Sequence, residues 1–246
     1  MELLEWDAQS YDALPLPHKR WGPHTIGRLR LTGGETVADV GCGTGRDAQH
    51  LLQLLPAGRV LAIDGSQQML AQTRSRLVTT GQADLRDATP PALATHPPAD
   101  AAVSVATLHW LPDHARVFRT VAGLLKPGGQ FAAEAGGKGN IASIVTVLSQ
   151  LGAGDGTGIW NFADVPETAE RLAAAGFEEI EVNLVPDPAR LDAGGQFEAY
   201  LATVVLGAHL RELPPADRAP FVRAVAARLA EPVVDYVRLQ IRATRR

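Results

Sequence analysis

A glycine-rich segment that follows a short β-prone run is the part of the sequence whose residue types most clearly indicate chemistry. Residues 37–47 read Val-Ala-Asp-Val-Gly-Cys-Gly-Thr-Gly-Arg-Asp, which places Gly41, Gly43 and Gly45 at alternate positions shortly after Asp39. Glycine lets the backbone turn sharply and approach a ligand closely, because it carries no Cβ. The segment therefore predicts a site for a nucleotide-like ligand at the carboxyl end of a parallel strand.

The spacing of these glycines argues against two common phosphate sites. A dinucleotide fingerprint is Gly-x-Gly-x-x-Gly. Here Arg46 occupies the third glycine position, and its long side chain would prevent the close packing of helix on strand that this glycine permits. No Gly-Lys-Ser or Gly-Lys-Thr follows, so a P-loop is excluded. Asp39 would also repel a pyrophosphate, which favours a ligand with a cationic ammonium group.

Asp64 ends the next β-prone run, about 20 residues after the glycines. A carboxylate at that place can accept hydrogen bonds from both hydroxyls of a ribose, a feature of several cofactors that contain adenosine. Alternatively, Asp64 caps a helix that begins at Ser66, itself a plausible N-cap residue. Both interpretations put Asp64 close to the glycine segment.

The elements that position these residues alternate through the first half of the chain. Short apolar and β-branched runs predict strands at 36–40, 59–63, 101–105 and 130–134. Apolar residues at helical spacing predict helices at 45–55, 66–78 and 113–125, the last of which is stopped by Lys-Pro-Gly-Gly. This order predicts an α/β fold with a doubly wound parallel sheet and helices on both faces.

The pattern changes after Gly136. The sequence predicts helices at 141–151, 166–175, 194–210 and 215–230, and strands at 177–184 and 233–243. In the last strand, Val237, Leu239 and Ile241 alternate with Arg238, Gln240 and Arg242. We expect a single domain over 1–246, with a ligand-binding core at about 30–135. Residues 1–30 and the helices at about 185–232 are expected to form a cap over the active-site end.

Length and composition bound the class of protein. The chain has 246 residues, of which 46% are hydrophobic and 20% charged, as in a globular domain rather than a disordered chain. Cys42 is the single cysteine, which excludes an intramolecular disulfide and a multi-cysteine zinc site. The net charge of −4 makes a nucleic acid a poor first choice of partner.

Targeting signals are not evident in the sequence. The first residues are acidic where a signal peptide is basic, and no apolar stretch approaches the ~18 residues of a membrane span. The final Ala-Thr-Arg-Arg is not a lipidation signal. We therefore expect a soluble cytoplasmic protein that does not bind membranes.

Together these motifs resemble the class I S-adenosylmethionine-dependent methyltransferases. VADVGCGTG and VLAIDGSQQML are similar to the first two motifs of that family, and LRDATPPAL, VSVATLHWLPD and LLKPGG continue the similarity in order. The flanking residues, including Trp6-Asp7, Arg20-Trp21-Gly22 and 235–239, resemble the trans-aconitate methyltransferase-like subgroup (methyltransferase type 11/25). The resemblance implies a Rossmann-like, mostly parallel, seven-stranded sheet with a helical cap.

The resemblance also implies roles for individual residues in binding S-adenosylmethionine and its product S-adenosylhomocysteine. Asp39 and the three glycines would hold the methionine part, and Asp64 the ribose. The residues that would contact the adenine and the methionine end are Gly65, Met69, Asp87, Ala88 and the backbone of Val105 and Ala106. Asp84 is an alternative to Asp87 for the adenine amino group.

The methyl acceptor would lie beyond the predicted strand at 101–105. His109 follows that strand and is the candidate catalytic residue. It is either a general base, since the ordinary pKa of a histidine is about 6.5, or part of the pocket wall. The trans-aconitate subgroup more often has glutamine at this position. Candidate acceptor contacts are Tyr11, Trp21, Trp110 and Trp160, each of which is alternatively a core residue. Arg20 could bind an acidic acceptor or be solvated.

The functional hypothesis is methyl transfer from S-adenosylmethionine to a small molecule, with O-methylation of a carboxylate or a hydroxyl favoured. The remaining histidines, His50, His96, His114 and His209, lack metal-ligand spacing, so no metal is expected. A nicotinamide-dependent oxidoreductase and a non-catalytic protein that binds S-adenosylmethionine are the alternatives. We expect a monomer or a homodimer.

Overall fold

The computed structural model describes residues 18–75, 79–82 and 97–246. Its strands, numbered in chain order, are β1 (Thr36–Val40), β2 (Arg59–Asp64), β3 (Thr79–Gln82), β4 (Ala99–Val105), β5 (Leu125–Gly136), β6 (Phe177–Pro186), β7 (Ala189–Arg190), β8 (Val233–Val234) and β9 (Val237–Arg245). Its α-helices are α1 (His18–Ile26), α2 (Arg46–Leu54), α3 (Gln67–Arg74), α4 (His114–Leu124), α5 (Ala142–Gln150), α6 (Val165–Ala174), α7 (Gly195–Tyr200), α8 (Gly207–Glu212) and α9 (Pro215–Ala226).

Seven of the strands form one sheet in the order β3-β2-β1-β4-β5-β9-β6. The first five are parallel, whereas β9 runs antiparallel to both β5 and β6. The chain moves outward from β1 to β3 and then crosses to β4 on the other side of β1. That reversal opens a crevice at the carboxyl ends of β1 and β4, where ligands bind in such sheets. The predicted fold class is confirmed.

Apolar side chains cover both faces of the sheet. Helices α2 and α3, with Leu51 and Leu70 fully buried, pack on one face together with α1, α5 and the elements at 195–226. Helices α4 and α6, with Phe118 and Leu172, pack on the other face. Helix α1 lies against β4, β5 and α2, so it reaches across the crevice edge of the sheet.

Two predicted elements have different bounds in the structure. The strand predicted at 130–134 begins at Leu125 and reaches Gly136, with an irregularity in its pairing to β4 that accommodates the Lys-Pro-Gly-Gly residues. The strand predicted at 233–243 is split into β8 and β9. The break occurs because the Asp235 carboxylate turns toward α5 and accepts hydrogen bonds from the amide and hydroxyl of Ser143.

The helices predicted at 194–210 and 215–230 differ from the observed ones. The segment predicted as one helix at 194–210 consists of α7, a π-helical turn at Leu201–Val205 and α8. The Leu206 amide donates to the Leu201 carbonyl, which is the wider π spacing, and Gly207 then begins α8. Helix α9 ends at Ala226 rather than near residue 230. No helix within the described residues is both long and apolar enough to cross a membrane.

Candidate functional site

The glycine segment forms a tight loop between β1 and α2, and its three alternate glycines all have positive φ. At Gly41 (φ +80°) a Cβ would lie 2.2 Å from the Thr107 hydroxyl oxygen, so the loop packs directly on the loop after β4. At Gly43 (φ +53°) no atom of the described residues lies within 4 Å of the position that a Cβ would take. Gly41 is therefore needed for packing within the protein, whereas Gly43 presents bare backbone at the crevice.

Asp64 connects the end of β2 to this loop. One carboxylate oxygen accepts a hydrogen bond from the Gly43 amide, and the other accepts one from the Ser66 amide, each at 2.9 Å. Ser66 itself caps α3, since its hydroxyl accepts from the Met69 amide. Each carboxylate oxygen can accept more than one hydrogen bond, so this geometry leaves Asp64 able to contact a ribose as well.

Asp39 and Asp47 form an acidic pair beneath the loop. Asp39 is 1% exposed, the Ala48 amide donates to its carboxylate, and its Oδ2 has no hydrogen-bond partner within the described part of the chain. Burial, reinforced by the charges of Asp47 and Asp64, raises the pKa of Asp39 well above its usual range. Burial also raises the pKa of Asp47 to about 6, against the opposing effect of Arg46.

The acidic pair is closed on one side by helix α1. A Cβ on Gly22 would lie 1.7 Å from Oδ1 of Asp47, so the backbone of α1 rests on that carboxylate. A buried carboxylate needs a hydrogen-bonding or cationic partner to be ionised without a large cost. The pair therefore fits a ligand that brings a positive charge to the loop.

The turn after β4 contributes unusual backbone geometry. Ala106 has φ +55°, a left-handed conformation that non-glycine residues seldom adopt, and its amide donates to the Glu134 carbonyl. The Thr107 hydroxyl lies 3.1 Å from the carbonyl oxygens of both Gly41 and Val105. Strain of this kind is common at functional sites, and here the hydrogen bonds of Ala106 and Thr107 offset it and hold the end of β4 against the glycine loop.

His109 lies in the short 3₁₀ turn Leu108–Trp110 after β4. The Gly136 amide donates to Nδ1 of His109 at 3.3 Å. An amide N–H can only donate, so Nδ1 carries a lone pair and the neutral ring bears its proton on Nε2. In this tautomer Nε2 of His109 is a hydrogen-bond donor.

An aromatic cluster made of His109, Trp110, Trp160 and Phe162 lies beside this turn. Trp160 stacks on Phe162 with ring centroids 5.7 Å apart and lies 6.5 Å from Trp110, while Phe162 lies 6.1 Å from His109. The structure thus brings two of the predicted acceptor residues, Trp110 and Trp160, together with His109.

Trp21 lies elsewhere on the same face of the sheet, in α1. Its side chain is 3% exposed, and its indole nitrogen donates to Asp187. Asp187 also forms an ion pair with Arg20 at 2.8 Å. Trp21 is thus a buried residue, and Arg20 is neither free nor fully solvated.

Several predicted site residues lie outside the described residues: Tyr11, Asp84, Asp87 and Ala88. Of the others, Met69 and Val105 are buried near the loop, and Gly65 is half-buried. Within 18–75, 79–82 and 97–246, no group of three or more histidine, cysteine, aspartate or glutamate side chains could hold a metal ion.

Sequence reasoning missed three charged residues that the structure places beside the site. Asp47 is in the first turn of α2, where an acid is ordinary helix patterning. Glu134 and Arg238 were read as parts of strands, and Arg238 was placed on the polar face of its strand. The signal available for Glu134 was its position near the carboxyl end of a predicted parallel strand.

The comparisons with known proteins agree with this geometry. Residues 38–131 match the family model described as a methyltransferase domain. The chain is 36% identical over 129 residues to trans-aconitate 2-methyltransferase of Azoarcus sp. (strain BH72), a match that covers 52% of this chain and 49% of that protein. The chain therefore matches about half the length of this curated relative.

Solved structures resemble nearly the whole chain. The YcgJ protein of Bacillus subtilis has a TM-score of 0.63 at 15% identity, covering 93% of this chain and 99% of that one. An S-adenosylmethionine-dependent methyltransferase from Mesorhizobium loti has a TM-score of 0.52 at 21% identity, covering 91% and 96%. Identities this low show the shared fold alone. The family match to residues 38–131 and the shared fold together confirm that this chain resembles the class I S-adenosylmethionine-dependent methyltransferases.

Proposed function

We propose that the chain is an S-adenosylmethionine-dependent methyltransferase that O-methylates a small molecule, and that the acceptor group is a carboxylate. The observation that carries the cofactor assignment is the acidic pair Asp39 and Asp47 beneath a glycine loop. A buried carboxylate with an unpartnered oxygen suits the ammonium group of a methionine moiety. The same pair would repel the pyrophosphate of a nicotinamide dinucleotide, which argues against the oxidoreductase alternative.

The residues present fit this cofactor at each end. Asp39 would pair with the ammonium group, the bare backbone at Gly43 would allow close approach, and Asp64 would accept the ribose hydroxyls. When bound, the cofactor supplies a methyl group on a positively charged sulfur. The chain's task is then to align the acceptor with that methyl group and to exclude water, because positioning supplies much of the rate of an in-line displacement. Helix α1 and the elements at 195–226 would cover the acceptor side.

The acidic pair predicts a pH dependence of cofactor binding. A cationic ligand favours ionised carboxylates, so below about pH 6, the raised pKa of Asp47, binding must displace a proton. We expect the affinity for S-adenosylhomocysteine to rise with pH through this window, by at most about tenfold per pH unit for each proton released, and to keep rising until Asp39, whose pKa burial also raises, is ionised. Calorimetric titration at pH 5 to 8 measures this. Asp47→Asn should flatten the profile; a wild-type affinity that falls as pH rises would contradict the pairing.

His109 bears on the choice between carboxylate and hydroxyl acceptors. A carboxylate is already ionised and needs no base, whereas a hydroxyl does. Because Nδ1 accepts from the Gly136 amide, the neutral ring offers an N–H at Nε2 rather than a lone pair. A donor suits a carboxylate oxygen, which supports the carboxylate acceptor and makes His109 a residue that orients it.

The variant His109→Gln separates the two roles once an acceptor is known. Glutamine keeps a donor in a side chain of similar size, so we expect KM for the acceptor to rise while kcat changes little. Cofactor affinity should stay the same. A loss of about 10²–10⁴-fold in kcat, with disappearance of an acidic limb near pH 6–7, would instead make His109 a general base for a hydroxyl.

The proposed activity is tested by incubating the protein with S-adenosylmethionine and a pool of small carboxylates and phenols. We expect formation of S-adenosylhomocysteine together with an acceptor whose mass increases by one methylene unit. Trans-aconitate belongs in the pool, because the curated relative is named for it. Cofactor binding without turnover of any acceptor would favour the non-catalytic alternative.

A further inference from the structure

Arg238 is a buried arginine at the start of β9, on the face that the alternating pattern of the strand assigns to polar residues. It is 2% exposed, and its guanidinium carbon lies 3.6 Å from the centroid of the Trp21 ring. The Tyr236 ring, which packs edge-on against Trp21, lies 5.9 Å from the same carbon. The hydroxyl of Tyr236 is in turn 2.7 Å from that of the fully buried Tyr200. The guanidinium thus lies over the Trp21 ring and beside the Tyr236 ring.

One edge of this guanidinium is held by Glu134. Nε of Arg238 donates to Oε1 of Glu134 at 3.2 Å, and Glu134 is itself 2% exposed. The other oxygen of Glu134 accepts from Thr25 and Gln240 and lies 3.1 Å from Nδ1 of His24. These partners fix Glu134, which in turn fixes the plane of the Arg238 side chain.

The far edge of the guanidinium has unused donors. Nη2 of Arg238 is buried and has no hydrogen-bond partner in the described part of the structure. Burying the N–H groups of an arginine without an acceptor is energetically unfavourable. The planar guanidinium group matches the geometry of a carboxylate, which would supply that acceptor. The nearby acid Asp187 is paired with Arg20 and Trp21, and among the described residues it accepts no hydrogen bond from Nη2 of Arg238.

Arg238 lies next to both parts of the proposed active site. It is the cross-strand partner of Gly136, whose amide binds His109, so Arg238 and His109 are joined through one residue. On the cofactor side, Trp21 under Arg238 is followed directly by Gly22, which rests on Asp47. Helix α1 therefore spans from the acidic pair to the guanidinium.

We propose that Arg238 is a specificity-determining residue that binds a carboxylate of the acceptor through Nη2. This inference rests on the proposed function and adds the residue that selects an anionic acceptor. Trp21 and Glu134 are positioning residues, since they orient the guanidinium. Arg238 binds the acceptor and takes no part in the transfer of the methyl group.

The test titrates protein saturated with S-adenosylhomocysteine with trans-aconitate, succinate and benzoate, and with their methyl esters, by calorimetry. We expect at least one of the carboxylates to bind and its fully esterified form not to bind. Arg238→Gln should bind that carboxylate about 10–100-fold more weakly, as expected for loss of hydrogen bonds to a charged group. Arg242→Gln is the matched control, because Arg242 lies on the same strand but pairs with the exposed Glu181.

Several outcomes would overturn the inference. The wild-type protein loaded with S-adenosylhomocysteine could fail to bind any of the three carboxylates. Alternatively, Arg238→Gln could bind a carboxylate as tightly as the wild type does. Either result would show that Arg238 serves packing alone. Affinity for S-adenosylhomocysteine should be the same in wild type and both variants. If the wild type did not bind S-adenosylhomocysteine, the proposed function would be refuted. Failure of the proposed function is therefore distinguishable from failure of the role of Arg238.

Arg238→Gln leaves Glu134 buried without its cation, which can prevent folding. The double variant Glu134→Gln, Arg238→Met removes both charges and fills a similar volume. We expect it to fold, to bind S-adenosylhomocysteine and to lose the carboxylate. Retention of carboxylate binding by the folded double variant would reject the role of Arg238. Arg238→Lys, which keeps the charge without the planar fork, should fall between wild type and Arg238→Gln.

Discussion

Replacing Asp64 by alanine should reduce the affinity for S-adenosylhomocysteine by about 10²–10⁴-fold, since two charge-assisted hydrogen bonds of about 1.5–3 kcal/mol each would be lost. The structure adds a second reason. Asp64 accepts from the amides of Gly43 and Ser66, so its removal also releases the glycine loop from the end of β2. Calorimetric titration of the folded variant measures the loss. Asp64→Asn should lose less, because the amide oxygen of asparagine can still accept hydrogen bonds.

A matched control for this experiment is Asp100→Ala. Asp100 lies at the amino end of β4, away from the carboxyl ends of the parallel strands, where it accepts from the Thr36 amide and pairs with Lys126. Its loss should lower stability modestly and leave the affinity for S-adenosylhomocysteine unchanged. If Asp64→Ala binds this ligand as tightly as Asp100→Ala does, the ribose is not held by Asp64.

Replacing Gly43 by valine should abolish binding of S-adenosylhomocysteine while the fold survives. Within residues 18–75, 79–82 and 97–246, no atom lies within 4 Å of the position of a Cβ at Gly43, so the new side chain would fill space beside the loop rather than clash with the core. The left-handed backbone there adds strain of about 1–2 kcal/mol. Thermal unfolding and calorimetric titration separate the effect on stability from the effect on binding.

Gly128 offers a control with the same local features. It also has positive φ (+77°) and, in the part of the chain that the structure describes, no atom within 4 Å of a Cβ position, but it lies among the Lys-Pro-Gly-Gly residues at the start of β5. Gly128→Val should carry a similar strain and keep full affinity. Wild-type affinity in a folded Gly43→Val variant would show that the cofactor does not approach this backbone.

Local sequence patterns predicted most of the elements that carry the glycine loop. Alternation of short β-prone runs with helical spacing predicted β1, β2, β4 and β5 as parallel strands, because parallel strands need a crossover between them. The loop, Asp39 and Asp64 come together for the same reason, since the carboxyl ends of adjacent parallel strands share an edge. The N-cap at Ser66 was also correct.

The contacts that sequence patterns could not supply join distant segments. Arg238 lies on the polar side of an alternating strand, but α1, more than two hundred residues earlier in the chain, covers that side and buries the guanidinium against Trp21. Asp47 looked like a solvated helix residue, yet the backbone at Gly22 covers it. The spacing of apolar residues indicates which face of a strand or helix is apolar and which is polar. It does not indicate which other segments of the chain pack on either face.

We propose that this chain binds S-adenosylmethionine through the acidic pair and the glycine loop. Calorimetric titration of the wild-type protein with S-adenosylhomocysteine and, separately, with NAD⁺ at pH 7.5 decides whether it does. We predict saturable binding of S-adenosylhomocysteine at one site per chain, a large loss of affinity in Asp39→Asn, and no binding of NAD⁺. Saturable binding of NAD⁺ with none of S-adenosylhomocysteine would contradict the account.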